Sequence, residues 1–397
     1  MALTELVGRL LPALDEAFPT DLLGVLGGFL AEHAAAESVD LLLADYELEL
    51  LVRVRGDEPA ASEVSMPVTG TDAGRAFSTQ SVVTVPEPPL TTVYVPVSLR
   101  AERLGVLRVR LAGPVPADAL SGLLQVATVV AYVVFGANRF TDMYEQARRR
   151  KPLALDAEMQ WNLLPVRAFA GPHFELAGQL MPAYDVGGDS FDYSVESGVL
   201  HLALTDAMGH GLQASLLDTL AVSALRNSRR AGASLAEQAQ EAQAALLGQF
   251  PPVTFVAAFL ACIDLDSGRV AVVNAGHPTG CLLRDGQLTR VTLRAQTPLA
   301  LSPDTRYEVQ HFTLEPGDRL VLFSDGVTDA APAGGESFGE DRLDGVLLAT
   351  ATLPPHEAVR QVLRTVATYQ GDNFRDDATA LCLDWRIDPP RLTGDTS

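Results

Sequence analysis

The stretch Tyr184–Gly211, YDVGGDSFDYSVESGVLHLALTDAMGHG, decides how the rest of the chain is read. It carries two aspartates, Asp189 and Asp206, each at the end of a strand-like run and beside glycine. That is how a fold brings acids from different strands to one point. Two more lie far downstream, Asp325 in LVLFSDGVTDA and Asp376 in FRDDATALCLDW. Four carboxylates at strand ends or tight turns, with few Cys or His near them, make an oxygen donor set suited to hard divalent cations. The pattern predicts a metal-dependent hydrolase in the C-terminal half.

Around that stretch, from Phe174 to Trp385, strand-like runs alternate with turn signals: Ser197-Gly198, Asp266-Ser267-Gly268, Asp285-Gly286 and Pro316-Gly317-Asp318. Three helical stretches are interleaved, Leu212 to Arg229, Ser234 to Phe250 and His356 to Tyr369. Strands with helices inserted after the acidic motif predict a β-sandwich flanked by helices. Gly187 and Gly188 are expected to let the chain turn sharply into Asp189, and Gly209 and Gly211 to allow close backbone approach beside Asp206.

Composition bounds the rest. A chain of 397 residues, 47% apolar and 20% charged, has room for two or three domains with sizeable cores. Fifty acidic against 29 basic side chains give a net charge of -21, so counterion release cannot supply the main binding energy for nucleic acid. Cys262, Cys281 and Cys382 sit in apolar runs without metal-ligand spacing and read as small buried hydrophobes of a reduced, cytoplasmic protein. The start, MALTELVGRLLPALDEAF, lacks the basic region and cleavage site of an export signal. The most apolar run, Ser121 to Ala137, contains Gln125 and falls short of about 20 apolar residues, so a core helix is expected and no membrane span.

Six motifs in order, VGGDSFDY, TDAMGHG, FVAAFLACIDLDSGRVAVVNAGHP, GDRLVLFSDGVTDA, FGEDRL and RDDATALCL, resemble the PPM-type protein phosphatases, specifically the bacterial SpoIIE/RsbU branch. With LLP at 163–165 marking the entry, the resemblance covers roughly residues 155–386. It implies a serine/threonine phosphatase that uses two Mn²⁺ or Mg²⁺ ions, with a phosphorylated STAS-type anti-anti-sigma protein as substrate in a sigma-factor pathway. Carried over by position, Asp206 bridges the ions. Asp189 and the backbone carbonyl of Ala207 complete one site, and Asp325 with Asp376 the other. Cations about 4 Å apart share and acidify a water for in-line attack on phosphorus, so no protein nucleophile is needed. Asp189 and Asp206 are then the catalytic acids, and His210 is a candidate proton donor to the leaving oxygen.

Neighbouring residues keep two readings each. Asp192 is either an acceptor ordering metal-bound water or a surface turn acid, and Asp377 either a ligand of a third ion or a solvated acid. His277 reads as a hydrogen-bonding core histidine, and Arg375 is the arginine nearest in sequence to a metal acid. The chain departs from the family at Ser190, where a GGDFYDY-like run is usual, at Ala207, and after His277, where PTG replaces a polar residue and two prolines.

Toward the N-terminus, helical runs over 1–18 and Asp21 to His33 precede strand-like segments at 40–43, 47–54, 81–85, 91–99 and 105–111. This order, and the phrase TVYVPVSLRAERLGVLRVRL, resemble a GAF domain. The fold class expected is α+β, in five parts: an N-terminal helix over 1–19, a GAF-like sensor or dimerisation domain over 20–138, a helical linker over 139–165, the PPM-type domain over 166–387 and a flexible tail over 388–397. The GAF resemblance implies a small-molecule or protein signal and a homodimer. Pro152 breaks the linker helix, Leu155, Met159 and Leu163 form its apolar stripe, and Arg148, Arg149, Arg150 and Lys151 make a solvated basic face. The competing functional readings are a non-catalytic, partner-binding regulator on the same fold and a GGDEF-type cyclase, the latter opposed by the absence of a following EF.

Overall fold

The computed structural model describes residues 3–54, 65–182, 184, 187–251, 253–371 and 376–386. The expected tail over 388–397 and Arg375 lie outside these. The chain divides into two compact units, Met1–Pro152 and Leu153–Ser397.

The first unit runs α1 (Leu3–Glu16), α2 (Leu22–Ala34), β1 (Ala36–Ala44), β2 (Leu50–Arg53), β3 (Ser65–Pro67), α3 (Asp72–Thr79), β4 (Val83–Glu87), β5 (Leu90–Leu99), β6 (Glu102–Ala112), α4 (Ala117–Ala137) and α5 (Met143–Ala147). Its strands form one antiparallel sheet ordered β3-β2-β1-β6-β5-β4. Both faces of β1 are buried, because alternate residues point oppositely. Leu41 and Leu43 join α1, α2 and α4 on one side, and Leu42 and Ala44 join α3 on the other. By length and composition α4 could cross a membrane. Here a stripe including Leu123, Val126, Val130 and Val134 is buried in the core, while Leu124, Tyr132 and Phe135 are exposed.

The second unit runs α6 (Leu155–Leu163), β7 (Ala168–Ala170), β8 (Phe174–Met181), β9 (Asp189–Glu196), β10 (Val199–Ala207), α7 (Leu212–Arg230), α8 (Leu235–Gln249), β11 (Val256–Asp264), β12 (Arg269–Ala275), β13 (Cys281–Arg284), β14 (Gln287–Arg290), β15 (Gln310–Thr313), β16 (Arg319–Phe323), α9 (Asp325–Asp329), α10 (Gly339–Ala349), α11 (Pro355–Gln370) and β17 (Ala378–Trp385). Two antiparallel sheets, β15-β12-β11-β10-β9 and β14-β13-β16-β17-β8-β7, bury Leu176, Phe191, Leu202, Leu204, Phe259, Leu322 and Leu381 in one core. Each such side chain contributes roughly 1.5–3 kcal/mol. Helices α7 and α8 pack on the outer face of the first sheet, and α10 and α11 on that of the second, which gives four layers.

Local chemistry explains the turns. Ser197-Gly198 and Asp285-Gly286 have positive φ (50° and 80°, 49° and 75°), the geometry that matches a two-residue hairpin to strand twist. A capping box of Ser234 and Glu237 starts α8.

The linker is interrupted around Pro152, with α5 in the first unit, where Tyr144 is buried and donates to the Pro19 carbonyl at 3.1 Å, and α6 in the second. Two linker expectations are corrected. The buried stripe of α6 is Ala157, Gln160 and Leu163, while Leu155 is 64% exposed, because polar Gln160 has partners inside. The basic cluster is not a solvated face. Arg148 donates to the Ala44 carbonyl and covers the Tyr46 ring, and Arg150 pairs with Glu47 and Glu49.

Candidate metal centre

Strand pairing sets the site. In the β9–β10 ladder Asp189 lies directly opposite Asp206, and one step further Ser190 lies opposite Thr205. Asp206 and Ala207 end β10, Asp325 begins α9 after Ser324 at the end of β16, and Asp376 stands just before β17. Four elements from both sheets thus bring their acids to Asp206. The carboxyls of Asp206 and Asp325 are within hydrogen-bonding reach, and Asp376 and Asp189 act on the same group electrostatically. Asp189 is 3% exposed, whereas Asp325 and Asp376 stand at the open side.

Like charges this close cannot all ionise. Burial, reinforced by Asp325 and Asp376, pushes Asp206 up to about 8. Burial, then Asp206 and Asp377, push Asp189 far above the carboxylate range, against a weaker downward pull from Ser324 and Thr379. Asp325 and Asp376 reach solvent and are raised too, mainly by partial desolvation against their neighbours. Among the described residues no three such side chains converge closely enough to grip an ion as they stand. The donor set nevertheless fits a hard cation. Asp189 Oδ2 is buried without a hydrogen-bond partner, and a lone buried acceptor is what a cation would satisfy.

The glycines exchange their expected roles. It is Gly187 and Gly188 that allow close approach, since a Cβ would lie 2.3 Å from Ser215 Oγ in the first and 3.1 Å from the Ala207 carbonyl oxygen in the second. Gly209 and Gly211 supply the turn, with φ of 96° and 73°.

Asp377 is not a solvated acid, and Asp192 is neither a surface turn acid nor turned toward the metal site. Asp377 is 2% exposed, and its Oδ2 accepts from the Gly188 and Asp189 amides at 3.0 and 3.3 Å and from Gln160 Nε2 at 2.9 Å. It braces the loop before Asp189 from beneath, and burial pushes it up to about 7. Asp192 is equally buried and accepts from Arg226 and Arg229 of α7 at 2.8 and 3.0 Å. His210 is exposed in the turn after β10, near Asp376. His277 is a core histidine set against Phe259, pushed down to about 4 by burial and therefore neutral.

Sequence reasoning missed Gln160 and Asp218. Gln160 also donates to the Asp189 carbonyl at 2.6 Å, and its only sequence signal was a polar residue three before the LLP turn. Asp218 of α7 is 2% exposed and accepts from Ser190 and, at 2.6 Å, from Thr205. Burial pushes it up to about 7.

Residues 196–386 match the family model of Stage II sporulation protein E (SpoIIE), a span that takes in Asp206, Asp325 and Asp376. The chain is 23% identical over 239 residues to phosphoserine phosphatase RsbU of Bacillus subtilis, covering 60% of this chain and 71% of RsbU. The SiaA-PP2C domain of Pseudomonas aeruginosa superposes with a TM-score of 0.50 at 26% identity, over 58% of this chain and 94% of that domain. The RsbU and RsbW domains of Rv1364c from Mycobacterium tuberculosis give 0.49 at 23% identity, over 55% of this chain and 62% of that one, so this chain spans less than two thirds of that structure.

Proposed function

We propose that the C-terminal unit is a SpoIIE-type, metal-dependent protein phosphatase domain that removes phosphate from serine or threonine of a STAS-type anti-anti-sigma protein in the cytoplasm. The observation that carries the reading is the pairing of Asp189 with Asp206 across the β9–β10 ladder, with Asp325 within hydrogen-bonding reach of Asp206 and Asp376 near enough to act on it electrostatically. These residues, with the Ala207 carbonyl, would hold two Mn²⁺ or Mg²⁺ ions. When bound, the ions supply Lewis acidity, lowering the pKa of a water and offsetting phosphate charge. The protein's own part is to hold the ligands on two braced strands and to leave the side with Asp325 and Asp376 open to a phosphorylated chain. His210 stands at that open side as the candidate proton donor to the leaving oxygen.

The N-terminal unit is a GAF-like regulator in this reading. Two observations support it. An open, mostly apolar groove of about 400 Å³, lined in part by Leu14, Leu22, Tyr132 and Phe140, has room for a small molecule. Exposed Leu124, Tyr132 and Phe135 along α4 offer an apolar face of the kind that pairs two copies.

The test is hydrolysis of an aryl phosphate with Mn²⁺, followed by phosphoserine loss from candidate phospho-STAS proteins. Asp206→Asn is expected to abolish both. Activity surviving that substitution would refute the site, and a wild-type chain that binds such proteins without dephosphorylating them would favour a non-catalytic binder.

A further inference from the structure

The side of the β9–β10 ladder opposite the acids is also built from polar groups. Successive strand residues point to opposite faces. Leu202, Leu204 and Phe191 therefore enter the core between the sheets, and Ala203 and Ala207 pack toward α7. Ser190 and Thr205 share the α7 side, directly across from one another and one step from the Asp189–Asp206 pair. One side chain takes both hydroxyls: Asp218 Oδ2 accepts from Ser190, and Oδ1 accepts from Thr205 at 2.6 Å.

All three residues are buried, at 0%, 2% and 2% exposure. A buried carboxyl gripping two strands at once is worth more than its packing volume, because leaving any of these groups unmatched carries a desolvation cost. Alanine or leucine at 218 would fill the space between helix and sheet, as Ala214, Leu217 and Ala221 do beside it. Position 190, where the chain departs from the GGDFYDY-like pattern, supplies one of the two donors.

We propose that Asp218 is a positioning residue of the phosphatase site. By holding Ser190 and Thr205 together it fixes the rung of the ladder next to Asp189 and Asp206, and so sets the reach between their carboxylates. It rests on the reading of Asp189 and Asp206 as cation ligands. It adds a contact, from Asp218 to the rung beside the ligands, that touches neither ion nor substrate.

The experiment uses the full chain, stripped of metal, with Mn²⁺ titrated by calorimetry and the melting midpoint of the metal-free protein measured alongside. Thr205→Val keeps the shape and removes the donor. It is expected to weaken Mn²⁺ binding about tenfold. Thr205→Ser, which keeps a hydroxyl, restores it. Asp218→Asn weakens binding similarly, and combining it with Thr205→Val adds less than the sum, since both act on one rung. Turnover of an aryl phosphate recovers at saturating Mn²⁺ with KM unchanged. Mn²⁺ affinities within twofold of wild type across the series, whatever happens to the melting midpoint, would overturn the proposal and leave a cluster that only packs. A wild-type chain that neither binds Mn²⁺ nor hydrolyses the ester would instead refute the phosphatase reading, a result visible before any variant is compared.

Discussion

Removing the Asp192 side chain should loosen α7 by an amount the structure allows to be worked out. The carboxylate is 4% exposed, and it holds Arg226, 22% exposed, and Arg229, 10% exposed. Stripping one partner from a fully buried ion pair costs about 3–5 kcal/mol, whereas an exposed pair is worth about 0–1 kcal/mol. Arg229 is close to the first limit. Arg226 is further from it, since it reaches solvent and keeps a hydrogen bond to the Leu163 carbonyl at 2.7 Å. About 2–3 kcal/mol is therefore expected for Asp192→Ala, which for a unit of this size lowers the melting midpoint by roughly 4–12 °C. Both tryptophans of the chain, Trp161 and Trp385, lie in the second unit, so intrinsic fluorescence in a denaturant titration reports this unit selectively. Replacing Asp192, Arg226 and Arg229 together by apolar residues should recover most of the loss, because no charge is then left buried alone. A change below about 0.5 kcal/mol on Asp192→Ala would mean that solvent satisfies the arginines as well as the carboxylate does, and the clamp would have no energetic content.

Three further outcomes follow from the site. Asp206 is pushed up to about 8, so below that pH an incoming cation must displace its proton. Mn²⁺ affinity should rise by at least about tenfold per pH unit between pH 6 and 8, since the Asp189 carboxyl, also held far above the carboxylate range, must give up its proton too; a flat calorimetric profile over that range would contradict this. The metal-free protein should behave in the opposite sense. A carboxyl whose folded pKa lies above its unfolded value stabilises the fold most at low pH, and that contribution is lost as pH climbs from about 4 through about 8, which melting curves across that range would register. Gln160→Leu should cost about 1–3 kcal/mol, since the Asp377 carboxylate and the Asp189 carbonyl each lose a buried donor, and should weaken Mn²⁺ binding as well. Unchanged affinity would reduce α6 to a packing helix.

Much of the architecture was legible because its signals are local. Two-residue turns with a glycine second located the hairpins at Ser197-Gly198 and Asp285-Gly286, and helical periodicity located α7, α8 and α11 within a residue or two. What escaped was decided by tertiary partners. Helix α10 was passed over as the motif FGEDRL, and α3 and β3 in the first unit were not anticipated, since short elements carry little periodicity of their own. Of the expected α6 stripe of Leu155, Met159 and Leu163, only Leu163 is buried, because apolar spacing alone does not say which face turns inward. The helix instead turns Gln160 in, to donors' work that only the fold brings near it.

The acids at strand ends could be picked out because glycines and strand boundaries mark them in one dimension. Their partners across the ladder could not. In DSFDY the residues alternate between two faces: Asp189 and Phe191 face the site and the inter-sheet core, while Ser190 and Asp192 face α7. The sequence alone makes Asp189 a metal ligand and leaves Asp192 either an acceptor for metal-bound water or a surface turn acid. The period of a strand assigns them to opposite sides. The same five residues therefore do two things, offering a ligand on one face and anchoring a helix on the other. A displacement of α7 would then reach Asp189 through one step of backbone, with no longer chain of contacts required.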